Sequence, residues 1–176
     1  FTFDVKAPMF VLRQWMRHRT WSYSEVSARY TQLPEEFYVP ELSEITTQSS
    51  DNKQMRTKEQ NVNAKTIQDD IYSSSLASHW DYKNLINMGC PRELARMVLP
   101  VNTYSHMFAT VNLHNLFKFI DSRSHPHAQW EIQQYSNAIL ELITPIVPVC
   151  VEMYKEIRNG KDVHRVQESP QKDQRQ

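Results

Sequence analysis

Glycine is almost absent from this chain, with only Gly89 and Gly160 among its 176 residues. Glycine-rich loops that cradle phosphates need several glycines at fixed spacing, and neither the GxGxxG nor the GxxxxGK[ST] pattern occurs. Tight β-turns also use glycine heavily, so its scarcity argues against a turn-rich all-β fold. The sequence therefore excludes the two commonest loop-based nucleotide sites and predicts a mostly helical protein.

Excess charge is lacking as well, because 20 basic residues balance 20 acidic ones. A neutral chain has no general field that attracts nucleic acid or an anionic membrane, and we expect neither partner. No apolar run is long enough to cross a bilayer, and no signal peptide is visible. The two cysteines, Cys90 and Cys150, are far apart and outside any CxxC pattern, which is typical of reduced thiols in a cytoplasmic protein.

Hydrophobic periodicity predicts an α+β fold that is mostly helical, with a small antiparallel or mixed sheet. The pattern predicts strands over residues 1–6 and 102–111, and helices over 9–18, 62–87, 91–99, 113–123 and from 126 onward. Residues 41–61 are polar and are interpreted as a surface loop. We expect a single domain over residues 1–158, large enough to form a hydrophobic core and a catalytic site. Residues 159–176 should form a polar, disordered tail.

Several details of these elements are specific predictions. Gly89 should end the long helix, whose apolar stripe would include Ile67, Ile71, Leu85 and Trp80. The short helix after Pro91 should turn Leu94, Met97 and Val98 inward. The chain also begins with Phe1 inside an alternating strand pattern, so we expect that an N-terminal segment of the protein is missing.

The segment RHRTWSYSEVSARY, residues 17–30, concentrates cations in an otherwise neutral chain. Arg17, His18, Arg19 and Arg29 surround a single acid, Glu25. A guanidinium group donates two parallel charged hydrogen bonds to phosphate or to a planar carbonyl edge, so the cluster suits an anionic or planar ligand. Composition alone leaves a second interpretation open, in which the segment is a solvated cationic loop.

Three other patterns have weaker functional interpretations. His125 and His127 in HPH resemble the spacing of metal ligands on a strand, but Pro126 and the helix after it spoil that geometry, and we expect no metal site. Ser27 lies near His18 in the sequence, but the residues around it do not match the nucleophile-elbow motif of serine hydrolases. Cys90, at a helix start, fits a turn residue better than a nucleophile.

The segment at 17–30 resembles the signature of the flavin-dependent thymidylate synthases, in which Arg-His-Arg is followed by seven residues and Ser. Arg17, His18, Arg19 and Ser27 have this spacing. Further segments are similar to family segments and occur in the same order: FTFDVKAPMFVLRQWMRHR, ELARMVLPVNTY, FATVNLHNL and HAQWEIQQY. The resemblance covers residues 1–158 apart from the middle loop, and several ordered motifs make it specific.

The resemblance implies a reaction and its cofactors. Members of the family methylate dUMP to dTMP with methylenetetrahydrofolate as carbon donor and NADPH as reductant, through bound FAD and without a cysteine nucleophile. It also implies a homotetramer whose active sites are shared between subunits, and a further family segment before the position of Phe1. A truncated, catalytically silent nucleotide-binding protein of the same fold remains the alternative interpretation.

The resemblance also implies residue roles, position by position. The expected dUMP ligands are Gln14, Arg17, Glu25, Ser27, Arg29, Arg96 and Arg123. The expected FAD ligands are Arg17, His18, Arg19, Glu25, Asn112, His114 and Lys118. Arg123 is the expected catalytic residue, because a cation beside the N3/O2 edge of uracil stabilises negative charge that develops there. No metal is expected.

Three positions depart from the family pattern. Ser24 stands where the signature often has Asn, and His114 replaces a common Arg. Lys118 occupies a flavin-contact position where Asn or His is usual, so it keeps a donor and adds a positive charge.

Overall fold

A computed structural model describes residues 1–167, and it describes side chains as far as residue 160. The strands are β1 Thr2–Pro8, β2 Ser22–Glu25, β3 Thr46–Gln48, β4 Arg56–Gln60 and β5 Tyr104–Thr110. The helices are α1 Met9–Trp15, α2 Ala64–Asn87, α3 Arg92–Ala95, α4 Leu113–Arg123, α5 Trp130–Ile143 and α6 Pro148–Gln167. This confirms the predicted α+β class with its helical majority.

One three-stranded antiparallel sheet organises the fold, in the order β1-β5-β2. The central strand β5 aligns Met107 with Val5 on one side and with Glu25 on the other. Buried residues alternate with solvated ones along β1 and β5, as expected for a sheet with one covered face. The sheet therefore places the middle of the segment at 17–30, Ser22–Glu25, next to the strand predicted at 102–111.

The main core lies between the covered face of this sheet and helices α1, α4, α5 and α6. Its largest fully buried side chains include Trp15, Phe119, Leu116 and Ile132. The inner face of α4 buries Leu116, Phe119 and Ile120, and Asn112 caps that helix by accepting a hydrogen bond from the backbone N–H of Asn115. Aromatic packing thus fixes α1 and α4 against each other.

The apolar stripe predicted for the long helix α2 is confirmed at Leu85, which is partly buried against a small core cluster, and is wrong at Trp80. Its buried residues are Ala64, Ser75, His79 and Tyr82, whereas Trp80 is 64% exposed. Tyr82 belongs to a second, smaller core cluster with Ala28, Leu33 and Ala95. Gly89 does end the helix, with a φ of 84° that suits glycine at this position.

The short helix after Pro91 also corrects the prediction. Leu94, Met97 and Val98 are exposed, and Ala95 is the buried residue of the segment. Helix α3 has four residues and passes into a 3-10 turn over Arg96–Val98, so the periodicity of a longer α-helix does not apply. The same turn places Arg96 beside Leu99 at the mouth of a cavity.

The predicted surface loop at 41–61 contains a β-hairpin, because β3 and β4 pair as an antiparallel two-stranded sheet. At the other end of the chain, α6 extends into the polar tail predicted over 159–176, and residues 168–176 lie outside the described residues. The domain boundary at 158 therefore stays a prediction. Among the described helices, none combines the length and the apolarity that crossing a bilayer requires.

Candidate active site

Arg123 joins two predicted site residues that lie more than a hundred positions earlier in the chain. Its Nε donates a hydrogen bond to Nε2 of His18 over 2.9 Å, and its Nη2 donates to the backbone carbonyl of Gln14 over 2.8 Å. The side chain is half-buried at the last residue of α4. The C-terminal end of α1 and the C-terminal end of α4 therefore meet at one guanidinium group.

The side chain of His18 is held by aromatic neighbours. Its ring lies edge-on to Phe119, with centroids 4.9 Å apart. The hydroxyl of Tyr23 donates to the carbonyls of His18 and Trp15, at 2.9 and 3.0 Å. These contacts stabilise the turn between α1 and β2. They fix the backbone and the ring of His18, the central residue of the RHR triplet.

The electrostatics of this cluster follow from burial and from one cation. Burial, followed by the positive charge of Arg123, lowers the pKa of His18 to about 4. Burial raises the pKa of Tyr23 to about 12, and burial lowers the pKa of Arg123. A neutral His18 is also what the geometry requires, because its Nε2 must be an acceptor to receive the hydrogen bond from Arg123.

Arg123 also lines a cavity of about 360 Å³. Asp121, His125 and His127 line it with Arg123. Gln14 does not line this cavity; its side-chain Nε2 donates to Oε1 of Gln129. Gln14 and Arg123, both predicted dUMP ligands, are in contact through the backbone carbonyl of Gln14.

A second cavity, of about 370 Å³, gathers three more of the predicted dUMP ligands. Glu25, Ser27 and Arg96 line it, together with Ser105 from β5. The hydroxyl of Ser105 donates to Oε1 of Glu25 over 2.7 Å, which orients the carboxylate. Arg29 lies next to this cavity: its backbone N–H donates to Oγ of Ser27 over 3.3 Å, and its Nη2 pairs with Glu93 at 3.3 Å.

The structure does not bring all predicted dUMP ligands together within one chain. The cavity at Arg123 and the cavity at Arg96 share no lining residue. Arg17 is exposed and lines neither of them. Within one chain, the predicted dUMP ligands that line cavities are therefore divided between two cavities.

The remaining predicted FAD ligands fit an anionic cofactor by their donor chemistry. His114 and Lys118 are exposed and lie four residues apart on one face of α4, and Arg17 and Arg19 are exposed in the turn after α1. Among the residues with described side chains, these four form no ion pair with a carboxylate. Exposed N–H donors without acidic partners suit a diphosphate.

The alternative chemistries find little support in the geometry. His125 and His127 lie with ring centroids 4.6 Å apart, and the backbone N–H of His127 donates to Nδ1 of His125. Within the described part of the chain, no three His, Cys, Asp or Glu side chains gather as a metal site would require. Cys90 and Cys150 are free thiols.

Sequence reasoning missed several residues that shape the site. Ser105, Tyr23 and Gln129 contact the predicted ligands, but each lies far from its partner in the sequence or bonds to backbone. Strand alternation could have placed Ser105 on the covered face with Met107. Nothing in the sequence pattern indicates that Gln129 faces Gln14.

Comparisons with known proteins agree with this picture. The profile of the family described as "Thymidylate synthase complementing protein" matches residues 1–149. The chain is 42% identical over 155 residues to the flavin-dependent thymidylate synthase of Thermosipho africanus, covering 88% of this chain and 67% of that protein. It is also 42% identical over 161 residues to an enzyme of the same name from Thermus thermophilus, covering 89% of this chain and 56% of that protein.

Solved structures agree as well. The UMP/dUMP methylase PolB from Streptomyces cacaoi, bound with 5-bromo-dUMP, matches with a TM-score of 0.80 and 31% identity over 88% of this chain and 70% of that one. The same protein bound with 5-bromo-UMP matches with a TM-score of 0.83 and 32% identity, over 88% of this chain and 72% of that one. The chain belongs to the thymidylate synthase complementing protein family, together with the flavin-dependent thymidylate synthases.

Proposed function

We propose that this protein is a flavin-dependent thymidylate synthase that converts dUMP to dTMP. Methylenetetrahydrofolate supplies the carbon, and NADPH supplies the electrons through bound FAD. The observation that carries the proposal is the placement of Arg123, whose guanidinium is held by His18 and Gln14 at the wall of a cavity. The names of the relatives and the dUMP analogue bound to PolB support the same substrate.

Arg123 has the free donors that this role needs. A guanidinium carries five N–H groups, and the contacts to His18 and Gln14 use two of them. The remaining N–H groups are available to the O2 and N3 edge of uracil, where they stabilise negative charge that develops in the ring. Because His18 accepts from Arg123 in its neutral form, it orients the guanidinium without competing for the anion.

The cavity at Arg96 suits the sugar-phosphate part of the nucleotide. Arg96 and Arg29 offer guanidinium groups for phosphate, and Ser27 offers a hydroxyl. Glu25, oriented by Ser105, places an acceptor in the same cavity. Arg29 forms a surface ion pair with Glu93, and a bound phosphate would compete with that carboxylate for the guanidinium group.

FAD, when bound, supplies the hydride chemistry of the reaction. Arg17, Arg19, His114 and Lys118 would hold its diphosphate, because they are exposed hydrogen-bond donors that form no ion pair with carboxylates among the described side chains. Asn112 uses its side-chain oxygen to cap α4, so its amide N–H groups remain for the cofactor.

The division of the predicted dUMP ligands between two cavities supports a homotetramer with shared sites. A nucleotide that needs both Arg96 and Arg123 would be held by the Arg96 cavity of one subunit and the Arg123 cavity of another. A silent nucleotide-binding protein of the same fold would retain the same arginines, and it would bind dUMP without turning it over.

The absorbance spectrum of the purified chain with added FAD tests the proposal. We expect a shifted flavin band that co-elutes with the protein, followed by a further saturable change when dUMP is added. The matched control is dCMP, whose ring N3 carries no proton to ionise, and it should produce a weaker change. A folded oligomer that takes up no flavin would overturn the proposal, and flavin uptake without turnover would favour the silent alternative.

A further inference from the structure

Two opposite charges line the cavity at Arg96 without pairing with each other. Glu25 and Arg96 both belong to its wall, yet neither forms an ion pair with any described side chain. Both residues are exposed, and opposite charges around one cavity of about 370 Å³ attract each other. The carboxylate therefore needs another partner if the guanidinium is to stay free.

Ser105 is that partner, and the sheet register brings it to Glu25. Glu25 lies opposite Met107 on the neighbouring strand, and Ser105 is two residues from Met107, so the three side chains share one face of the sheet. Ser105 is only 6% exposed, and its hydroxyl donates to Oε1 of Glu25 over 2.7 Å. This distance is typical of a charge-assisted hydrogen bond from a hydroxyl to a carboxylate.

The backbone supports the same arrangement. The N–H of Val26 donates to the carbonyl of His106 over 2.8 Å, which holds the end of β2 beside β5. The backbone of Glu25 is therefore fixed next to Ser105, and only its side chain decides whether the carboxylate meets the hydroxyl or the guanidinium.

Arg96 is the cation that gains from this arrangement. Its Nε donates to the backbone carbonyl of Glu93 over 3.3 Å, and its Nη groups make no hydrogen bond to a described residue. Arg29 differs, because its Nη2 pairs with the carboxylate of Glu93 at 3.3 Å. A guanidinium without a counter-ion can offer its fork to a phosphate without first losing a partner.

We infer that Ser105 is a positioning residue that keeps Glu25 from neutralising Arg96 and so preserves the affinity of the cavity for a phosphate monoester. Without the Ser105 hydroxyl, the carboxylate turns toward the guanidinium, and a phosphate has to displace it. The inference rests on the proposed function, because it takes the phosphate of the nucleotide as the anion that Arg96 binds.

Calorimetric titration of the purified full chain with dUMP, without flavin or folate, tests the inference. Ser105→Ala should weaken dUMP binding about twofold to fivefold, the range expected when a surface ion pair competes with the ligand. Ser105→Thr keeps a hydroxyl donor and should bind dUMP like the wild type. The matched control is Ser24→Ala, which removes a hydroxyl beside Glu25 on the opposite face of β2 and should have no effect.

A double-mutant cycle separates positioning from a merely structural role. In Glu25→Gln the competing carboxylate is gone, so adding Ser105→Ala should cause no further weakening. A structural role would weaken dUMP binding by the same factor in both backgrounds. The inference is overturned by equal factors, by wild-type affinity in Ser105→Ala, by failure of Ser105→Thr to restore affinity, or by loss of dUMP binding in the wild type or in Glu25→Gln.

The outcome is distinguishable from that of the proposed function, because the titration contains neither flavin nor folate. The predicted pattern of dUMP affinities without any dTMP formation would retain the positioning role and remove the proposed function. Formation of dTMP, together with wild-type dUMP affinity in Ser105→Ala, would do the reverse.

Discussion

Arg123 and His18 are 105 residues apart in the sequence and form a hydrogen bond of 2.9 Å in which the arginine Nε is the donor. The bond is possible because the end of α4 lies beside the turn after α1, and Phe119 of α4 packs against Trp15 and His18. It ties a signature histidine to the residue expected to act on the pyrimidine. The chemistry of the RHR segment therefore depends on the C-terminal end of a distant helix.

Replacing Arg123 tests its proposed role directly. Arg123→Ala should leave flavin uptake and the folded oligomer intact but lower kcat for dTMP formation by about 100- to 1000-fold, the usual loss for one preorganised donor. Arg123→Lys should rescue only part of the rate, because an ammonium lacks the planar fork. The control is Arg13→Ala, which removes an exposed arginine from α1. If Arg123→Ala unfolds the protein, the residue is structural.

His18 should make stability depend on pH. Its pKa is about 4 in the folded protein and about 6.5 in an unfolded chain, so the unfolded state binds more protons between these values. The free energy of unfolding should therefore rise with pH from about 4 to about 6.5.

Urea denaturation at pH 4.5 and pH 7 measures this dependence. His18→Gln keeps an acceptor for Arg123 and should flatten the slope. His114→Gln removes an exposed ring from α4 and should leave the slope unchanged. Equal slopes in all three proteins would contradict a buried, neutral His18.

Arg96 should contribute to nucleotide affinity rather than to the fold. It lies in the 3-10 turn after α3, is exposed, and lines the cavity with Ser27. Arg96→Ala should raise the dissociation constant of dUMP about 10- to 100-fold, as loss of charged hydrogen bonds to phosphate predicts. Arg92→Ala, in the short helix α3 just before this turn and outside the cavity, should bind dUMP normally. Equal effects of the two substitutions would remove Arg96 from the site.

Phe119 should carry much of the stability of the core. It is fully buried, and its ring centroid lies 4.8 Å from that of Trp15 and 5.1 Å from that of Trp21. Phe119→Ala should lower the free energy of unfolding by about 3–5 kcal/mol. Phe108→Ala, at a position that is 50% exposed, should lower it by less than about 1 kcal/mol. Denaturant titration compares the two, and similar losses would contradict the assigned core.

The sequence predicted those elements whose local pattern and packing agree. The buried side chains of β5 and of α4 pack against each other in the main core. Their hydrophobic periodicity in the sequence therefore indicates directly which side chains are buried. Gly89 at the end of α2 was predicted because glycine is the residue that most easily adopts the positive φ at the end of a helix, and this preference depends on local structure alone.

Other features depend on contacts that no local pattern records. The hairpin at 46–60 is polar on both faces, and it is ordered by Arg56 reaching a glutamate 75 residues away. The exposed Leu94, Met97 and Val98 follow from a helix of one turn, which has no continuous inner stripe. The site residues were named through the family resemblance, but their division between two cavities became visible only in three dimensions.

Formation of dTMP is the measurement that tests the central claim most directly. The purified chain, supplied with FAD, NADPH, methylenetetrahydrofolate and dUMP, should produce dTMP that mass spectrometry detects, and omission of any one component should abolish it. Arg123→Ala should fail to produce it while still binding flavin. A folded, flavin-loaded oligomer that binds dUMP but forms no dTMP would contradict the account.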